Sequence, residues 1–409
     1  MSPPTFLSIL PIPHRNLDMI MALVKPIYLD NAATSHPKPE SVYLAVMAAL
    51  REGGSPGRGT HHLARTADRL IFETREALAE LFNGGNSAQF IFTANATSAI
   101  NQALFGLLQS GDRVVTTMVE HNAVIRPLRE LQSRGVEVVK VAVDPVTGIV
   151  NKSVLQQACL DKPTRLLLVN HCSNVIGTIQ PVEGLGRWCH EHDILFMLDG
   201  AQSAGLLPID LQTLAVDLFA APGHKGLLGP QGTGFLYLKE ELKLTPLIYG
   251  GTGTNSHSDL QPENLPERLE SGTLNLPGLA GLKASLQFLQ QTGIDQIHLK
   301  ETRFIAKLLS GLQKIEGIKI YGSGNVMLRL GAISFNLEDR DPAEVAFILD
   351  DEERISVRVG LHCAPDAHRI IGTYPTGTIR ISPGYFTTEE EIERFLTIME
   401  KISKMKRKK

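Results

Sequence analysis

The 409-residue chain has few cysteines, few aromatic residues and no excess of charge of either sign. Its four cysteines are widely spaced and lack a C-x-x-C pair, which argues against a disulfide framework and predicts a reducing, cytoplasmic location. With 40 Lys and Arg against 43 Asp and Glu, the formal net charge is −3, so no broadly basic surface is available for nucleic acid. Apolar runs fall well short of the roughly 20 residues that a membrane helix needs. We therefore expect neither nucleic acid nor a membrane as a partner, and Cys189-His190 lacks a second pair of metal ligands, so no metal is expected.

Short β-rich segments alternate with helical patterns in the first two thirds of the chain, which predicts βαβ units and a buried, mainly parallel sheet. The candidate strands are 89–93, 113–118, 136–141, 165–170, 194–199, 217–220 and 234–238. After a loop rich in Gly, Thr and Ser, a smaller α+β unit is predicted, with a helix over 293–313 and strands at 318–321, 332–336, 355–359 and 378–382. Thr388 and Glu391 have the spacing of a capping box at the start of the last helix. We expect a disordered extension over 1–26, a large α/β domain over 27–260 with an arm at 27–35, and a small domain over 261–409.

A lysine follows the sixth candidate strand, in the segment AAPGHKG at 220–226. Ligands of open α/β sheets bind at the carboxyl ends of strands, and burial lowers the pKa of an amine, which suits Lys225 to Schiff-base chemistry with pyridoxal phosphate. An ordinary surface lysine is the alternative. A nucleotide P-loop is excluded because no G-x-x-x-x-G-K-[ST] occurs.

Three other strand ends carry polar residues that suit the same cofactor. Asp199 ends an apolar strand and would pair with a protonated pyridine nitrogen, although a helix N-cap is the alternative. The segment IFTANATS at 91–98 leads into a helix whose free N–H groups would bind phosphate, unless it is a simple Ser/Thr cap. His121 follows another strand and would lie over the cofactor ring, or else is structural.

Several further segments carry a resemblance to a known family. They are YLDNAAT at 28–34, RGTH at 58–61, NHCSNVIG at 170–177, GHK at 223–225 and ESGTLN at 270–275. With them, the chain from Tyr28 to about Phe395 resembles the pyridoxal-phosphate enzymes of the class V aminotransferase family, nearest the cysteine desulfurases. The resemblance implies an α/β protein of pyridoxal-phosphate fold type I. Its large cofactor-binding domain would contain a mainly parallel seven-stranded sheet, and its smaller C-terminal α+β domain would carry the Cys363 loop.

The resemblance also assigns roles around the cofactor. Lys225 would form the Schiff base and move the substrate proton, Asp199 would pair with the pyridine nitrogen, and His121 would stack on the ring. The remaining expected cofactor contacts are Gln202 at the phenolic oxygen and Ala96, Thr97, His224 and Thr273 at the phosphate. Because the residue matching Thr273 comes from the neighbouring subunit, the family implies a homodimer. The expected substrate-binding residues are His61, Asn174, Arg358 and Arg380, where an arginine fork suits a carboxylate.

The segment SVRVGLHCAP at 356–365 resembles the catalytic-cysteine loop R-x-G-H-H-C-A of that family. The thiolate is the nucleophile, and we expect Arg358 and His362 to favour it electrostatically. Three residues depart from the family pattern: Pro222 and Ala96 remove hydroxyl contacts to the phosphate, and Leu361 replaces the first histidine of the loop.

The resemblance implies conversion of L-cysteine to L-alanine, with the sulfur held on Cys363 as a persulfide and passed to an acceptor protein. Two alternatives within enzymes are a cysteine or cystine C–S lyase, which gives pyruvate and ammonia, and a selenocysteine lyase. A non-catalytic sensor or interaction protein is the alternative outside enzymes, since a fold does not determine function.

Overall fold

The computed structural model describes residues 25–57, 59–254 and 257–405. Residues 1–24 of the predicted extension, Arg58 and the last four residues of the basic tail therefore lie outside the described residues. The strands are β1 Ile27–Tyr28, β2 Phe90–Thr93, β3 Arg113–Thr117, β4 Glu137–Val141, β5 Leu166–Asn170, β6 Leu195–Asp199, β7 Leu218–Pro222, β8 Gly234–Leu238, β9 Ile318–Tyr321, β10 Ile333–Leu337, β11 Ile355–Ser356, β12 Arg358–Gly360 and β13 Thr378–Ile381. The helices are α1 Glu40–Glu52, α2 His62–Leu81, α3 Ala96–Leu107, α4 Asn122–Ser133, α5 Lys152–Leu160, α6 Leu185–His190, α7 Leu276–Thr292, α8 Ile294–Leu312, α9 Pro342–Phe347, α10 Pro365–Ile370 and α11 Glu389–Lys404.

A seven-stranded sheet in the order β2-β8-β7-β6-β5-β3-β4 forms the centre of the larger part of the molecule. Only β8 runs antiparallel to its neighbours, so the predicted mainly parallel sheet is confirmed. The central strands β5 to β8 are mainly apolar because both faces of the sheet are covered. Leu166 and Leu168 of β5 pack on one face and Leu167 and Val169 on the other, and these two layers together are the first core.

A second core lies under the four-stranded antiparallel sheet β12-β13-β10-β9. Phe335 of β10 packs there with Phe304 of α8 and Phe395 of α11, and the N-terminal arm adds Ile27 and Leu29. The leucines of α7, by contrast, pack into the first core. The domain boundary at residue 261 remains a prediction, although packing groups α7 with the large sheet.

The last helix begins at the predicted capping box. The Thr388 hydroxyl accepts the N–H of Glu391, and the Glu391 carboxylate accepts the N–H of Thr388 in return. Two donors that would otherwise be unsatisfied at the helix start are thereby paired. In the described ranges, no helix has the length and apolar character needed to cross a membrane.

The prediction of one strand over 355–359 is wrong. The segment forms two strands that belong to different sheets: β11 pairs in parallel with β1, and β12 pairs antiparallel with β13. The chain leaves one ladder and enters the other at Val357, a change that an alternating pattern in the sequence cannot show. The new register places Arg358 directly opposite Arg380.

Candidate active site

The carboxyl ends of β3, β6 and β7 bring together the residues that the sequence singled out. Lys225 lies in the turn after β7, Asp199 is the last residue of β6, and His121 lies between β3 and α4. Burial lowers the pKa of Lys225 to about 8, against the opposing pull of Asp199 and with help from Arg380 and Arg358. Near neutral pH, the amine therefore releases its proton far more readily than an exposed lysine does.

Asp199 is buried, and among the described residues its carboxylate accepts one hydrogen bond, from the N–H of Ala201 at 2.9 Å from Oδ1. Burial raises the pKa of its carboxyl group, while the Ala201 N–H and Lys225 oppose the rise. A buried carboxyl with so few partners needs a cation to stabilise its charged form. A protonated ring nitrogen would meet that need.

Glu120 is a buried acid in this region that the sequence analysis missed. Its Oε1 accepts the Thr117 hydroxyl at 2.6 Å and the Asn170 N–H at 3.0 Å, whereas its buried Oε2 has no hydrogen-bond partner in the described part of the chain. Burial, and to a smaller extent the charge of Asp199, raise the pKa of Glu120 to about 8. Glu120 is therefore protonated at neutral pH and adds no charge beside Asp199. The sequence feature that could have identified Glu120 is its position next to His121 at the end of a strand.

His121 is held as a neutral ring. Its Nδ1 accepts the N–H of Ala123 at 3.0 Å, so the ring proton is on Nε2. Burial lowers the pKa of His121 to about 4, and Lys225 is the largest of the charges that lower it further. An uncharged, oriented imidazole is suited to lie flat on an aromatic cofactor.

Two sets of donors suit a phosphate. The first N–H groups of a helix have no acceptor within the helix, and at the start of α3 the Asn95 side chain accepts the N–H and the hydroxyl of Ser98. The N–H groups of Ala96 and Thr97 thus remain available. His224 contributes Nδ1, a buried atom without a hydrogen-bond partner among the described residues, and burial lowers the pKa of that ring to about 4. Pro222, at the end of β7, offers neither a hydroxyl nor an N–H.

Arg380 lies on β13 at the boundary between the two cores, and its side chain is 3% exposed. Its guanidinium donates to the Asn174 carbonyl at 2.9 Å and to Asp30 Oδ1 at 2.6 Å. The Asn174 side chain donates to the His362 carbonyl at 2.6 Å, so this residue contacts both Arg380 and the cysteine loop. Arg358, opposite Arg380, lies 3.6 Å from Asp30.

Cys363 is the exposed one of the four cysteines. Its loop is fixed on the large sheet by the Asn122 N–H, which donates to the Cys363 carbonyl at 2.7 Å. His362 and Cys363 both have left-handed backbones, with φ of 47° and 59°, which turn the two side chains apart. The charge of Cys363 acts on Lys225, so the two side chains lie within range of electrostatic interaction.

The expectation that His362 supplies positive charge to the thiolate is wrong. His362 is buried, its Nε2 lies 3.2 Å from the Thr378 carbonyl, and burial lowers its pKa to about 2. The ring is therefore neutral at all physiological pH values. Burial also raises the pKa of Cys159 and of Cys172 to about 12 and raises the pKa of Cys189, so these three thiols are not poised to act as nucleophiles.

Three further predicted site residues make other contacts. Gln202 donates to the Ala32 carbonyl at 3.0 Å and shares a cavity with Lys225. Thr273 is exposed and lines a separate cavity with Thr97. His61 is exposed at the start of α2, where its Nδ1 accepts the Ala64 N–H. The roles of these residues remain predictions.

Comparison with known proteins agrees with this geometry. The family model described as aminotransferase class-V matches residues 27–395. A probable cysteine desulfurase of Methanothermobacter thermautotrophicus is 38% identical over 93% of this chain and 95% of the relative, and one of Pyrococcus abyssi is 34% identical over 92% and 94%. The apo structure of a cysteine desulfurase from Thermococcus onnurineus NA1 superimposes with a TM-score of 0.87 and 33% identity, covering 93% of this chain and 95% of that one.

The family match assigns the chain, with its mainly parallel sheet and with Lys225 and the buried Asp199 at the carboxyl edge of that sheet, to the pyridoxal-phosphate enzymes of fold type I. The chain belongs to the aminotransferase class-V family. Enzymes of this family depend on pyridoxal phosphate. The residues present fit that group, because the buried Asp199, the unpartnered His224 Nδ1 and the open start of α3 match its ring nitrogen and its phosphate.

Proposed function

We propose that the protein is a pyridoxal-phosphate-dependent cysteine desulfurase that converts L-cysteine to L-alanine and holds the sulfur on Cys363. One observation carries the proposal: the loop of the exposed Cys363 is hydrogen-bonded to Asn122, the neighbour of His121, and the charge of Cys363 acts on Lys225, whose pKa is lowered. Family membership supports the lysine chemistry, and the names of the relatives agree with the choice of substrate.

Each residue of the cleft has a separate role in the proposed reaction. Lys225 would hold the cofactor and, as a free amine, would move the proton at the substrate Cα, for which a pKa of about 8 is well matched. Arg380 and Asn174 bind the substrate carboxylate. His121 covers the ring, and Asp199 keeps the ring nitrogen protonated. When bound, the cofactor supplies an electron sink for the Cα–H bond pair.

Sulfur transfer needs no outside oxidant. The Cys363 thiolate forms an S–S bond with the substrate sulfur as the Cβ–S bond breaks, and the electron pair of that bond stays with carbon, which gains a proton. L-Cysteine and one enzyme thiol thus become L-alanine and one enzyme persulfide. Because Cys363 is exposed, its sulfur can be passed to an acceptor protein, whose identity the chemistry leaves open.

A homodimer is part of the proposal. The outer face of α1 exposes Tyr43, Met47 and Leu50, and exposed Ile248 lines the same cavity as Thr97 and Thr273. Exposed apolar residues on α1 and at the rim of this cavity are the feature expected of a surface that a second subunit covers.

The test is to incubate the purified, cofactor-supplied protein with L-cysteine and a reductant and to quantify alanine and pyruvate. We expect one alanine for each sulfur released, with persulfide on Cys363. Cys363→Ser is expected to lose persulfide and alanine formation together, whereas Cys159→Ala, which removes a thiol far from the cleft, is expected to retain both. Pyruvate as the main product, unaffected by Cys363→Ser, would establish C–S elimination instead.

The cofactor is tested separately. Borohydride reduction of the yellow protein should link the cofactor covalently to Lys225, as peptide mass spectrometry would show, and Lys225→Ala should prevent the link. A colourless protein that gives no labelled peptide contradicts the whole proposal.

A further inference from the structure

The turn that carries Cys363 has a strained backbone. His362 and Cys363 are consecutive residues with left-handed φ, a conformation that residues other than glycine rarely adopt. The His362 side chain is buried and Cys363 is exposed, so the turn directs one side chain into the protein and the other outward. A backbone of this kind persists only where the surrounding structure holds it.

The His362 ring provides one of the contacts that hold the turn. Its Nε2 lies 3.2 Å from both the carbonyl and the hydroxyl of Thr378. A carbonyl can only accept, so Nε2 carries the ring proton. The Thr378 hydroxyl donates in turn to Ser334 Oγ at 3.0 Å, and the Ser334 hydroxyl donates to the Val175 carbonyl at 2.7 Å. Every donor in this chain of hydrogen bonds has an acceptor while the ring is neutral.

The segment in which this chain ends also holds the backbone of His362. Asn174, which precedes Val175, donates its side-chain N–H to the His362 carbonyl at 2.6 Å. The Asn174 carbonyl accepts the Arg380 guanidinium at 2.9 Å. Residues 174 and 175 are therefore a common support for the cysteine turn and for Arg380. The spacing between Cys363 and Arg380 depends on how firmly His362 is bound to that support.

The ring acts on this turn through its N–H group and its packing, and not through charge. A protonated ring would need a second acceptor, at Nδ1, but this atom is buried and has no partner in the described part of the chain. Burial lowers the pKa of His362 to about 2, and the charges of Arg380, His368 and Arg358 lower it as well. An uncharged side chain with a donor in the place of Nε2 meets the same need.

We propose that His362 is a positioning residue for sulfur transfer: its uncharged, buried ring anchors the strained turn and so fixes Cys363 relative to Arg380. The inference rests on the proposed function, because it takes Cys363 as the nucleophile and Arg380 as the carboxylate ligand. It gives the histidine of the cysteine loop a geometric role in place of the electrostatic role that the sequence indicated.

Two reactions that differ in their need for the thiol test this role in the cofactor-loaded protein. Formation of alanine from L-cysteine requires Cys363. β-Chloro-L-alanine instead loses its Cα proton, and chloride leaves with the electron pair of the Cβ–Cl bond, after which hydrolysis gives pyruvate and ammonia. This second reaction uses Lys225 and Arg380 but no enzyme thiol. Cys363→Ser is the reference variant, which should lose alanine formation and retain pyruvate formation.

His362→Phe keeps a ring and removes the Nε2 donor. We expect its kcat for alanine formation to fall about 100-fold, because a displacement of about 1 Å in a reacting group costs that much. Pyruvate formation from β-chloro-L-alanine should stay within about twofold of the wild type, because the lost interaction concerns the thiol alone.

Two further variants serve as controls for the substitution. His362→Gln places an amide N–H near the position of Nε2 and cannot carry a charge, so it should retain alanine formation to within about tenfold. His192→Phe makes the aromatic substitution at an exposed residue that precedes β6, at the end of this strand opposite Asp199, and should change neither reaction.

Amide hydrogen exchange gives a readout that does not depend on turnover. The Ala364 N–H donates to the Leu361 carbonyl at 2.9 Å, across the turn. Followed by peptide mass spectrometry, the segment that contains Cys363 should exchange about tenfold faster in His362→Phe and close to the wild-type rate in His362→Gln.

Equal losses of the two reactions in folded His362→Phe would overturn the inference, as would unchanged exchange of its cysteine segment. If His362→Phe does not fold, His362→Gln decides, since alanine formation as low as that of Cys363→Ser would contradict an uncharged anchor. The exchange measurement involves no sulfur chemistry. Absence of alanine from the wild type would therefore refute the proposed function alone, and unchanged exchange would refute the anchor alone.

Discussion

Cys363 differs from the chain's other three cysteines in exposure and therefore in reactivity. Cys159, Cys172 and Cys189 are buried, and burial raises the pKa of each thiol, which keeps the thiolate fraction negligible at neutral pH. We expect iodoacetamide to alkylate one thiol per native chain, at Cys363, as mass spectrometry of the intact protein and of its peptides would show. Cys363→Ser should be unlabelled until denatured. Rapid labelling of Cys172 in the native protein would contradict the buried placement.

Glu301 of α8 shows how a single buried carboxyl affects stability. It is 3% exposed, lines a cavity with Gln202 and Lys225, and burial raises its pKa from 4.5 to about 8. The folded protein therefore keeps this proton up to about pH 8, while the unfolded chain loses it near pH 4.5. The resulting stability is complete below the lower value and is lost as pH rises through the higher one.

Replacing Glu301 by Gln removes this dependence on pH. We expect the free energy of unfolding of Glu301→Gln minus that of the wild type to increase between pH 5 and pH 8.5, by about 3 kcal/mol. Urea unfolding of the cofactor-free protein at both pH values measures it. Exposed Glu241→Gln is the control and should give a constant difference. A difference that is flat for Glu301→Gln as well would show that the carboxyl is not held protonated.

Helix α11 contributes Phe395 and Met399 to the second core, and its first turn depends on the Thr388–Glu391 capping box. Thr388→Ala removes the hydroxyl that accepts the Glu391 N–H and should lower the free energy of unfolding by about 1 kcal/mol. Chemical denaturation measures the loss. Thr397→Ala, which lies on the exposed face of the same helix, should cost clearly less. Equal costs would mean that the cap does not stabilise the helix in the folded protein.

Elements with strong local signals could be predicted from the sequence. The parallel strands are continuous apolar segments, and α11 shows both its cap and its apolar repeat, because burial of both sheet faces and helix capping are local in the chain. The division of 355–359 into β11 and β12 could not be predicted, since each half finds its partner in a different distant segment. Contacts between distant residues could not be predicted for the same reason. Asp30 meets Arg380 across 350 positions, and no spacing rule predicts such a pair.

The residues of the candidate active site come from widely separated parts of the chain. The arm supplies Asp30, the large sheet supplies Asp199 and Lys225, and the second core carries Arg380 and Cys363 on its edge. Separately, the strand-end positions indicate only that polar groups share one edge of a sheet. The family motifs associate these residues with a cofactor from the sequence alone. The neutral state of His362 and Glu120, by contrast, depends on burial, which only the folded structure shows.

The exposed face of helix α1 bears on how whole molecules associate. Leu50 is 68% exposed on α1, and Tyr43 and Met47 lie on the same face at helical spacing. The opposite face of α1 packs on α7, so these side chains have no cover within the described chain and fit a second copy. We expect the wild type to sediment as a dimer and Leu50→Asp to raise the dimer dissociation constant by about tenfold or more, since it places a charge in an apolar contact.

Leu160→Asp is the matched control, because Leu160 is 50% exposed on α5, on a different surface, and should leave the dimer intact. The proposed role of Thr273 links assembly to the cofactor. A Leu50→Asp monomer should therefore release pyridoxal phosphate more readily than the wild type, as absorbance after gel filtration would show. Should the monomer retain the cofactor as tightly as the dimer, Thr273 of the partner does not hold the phosphate, and the donors at the start of α3 together with His224 suffice.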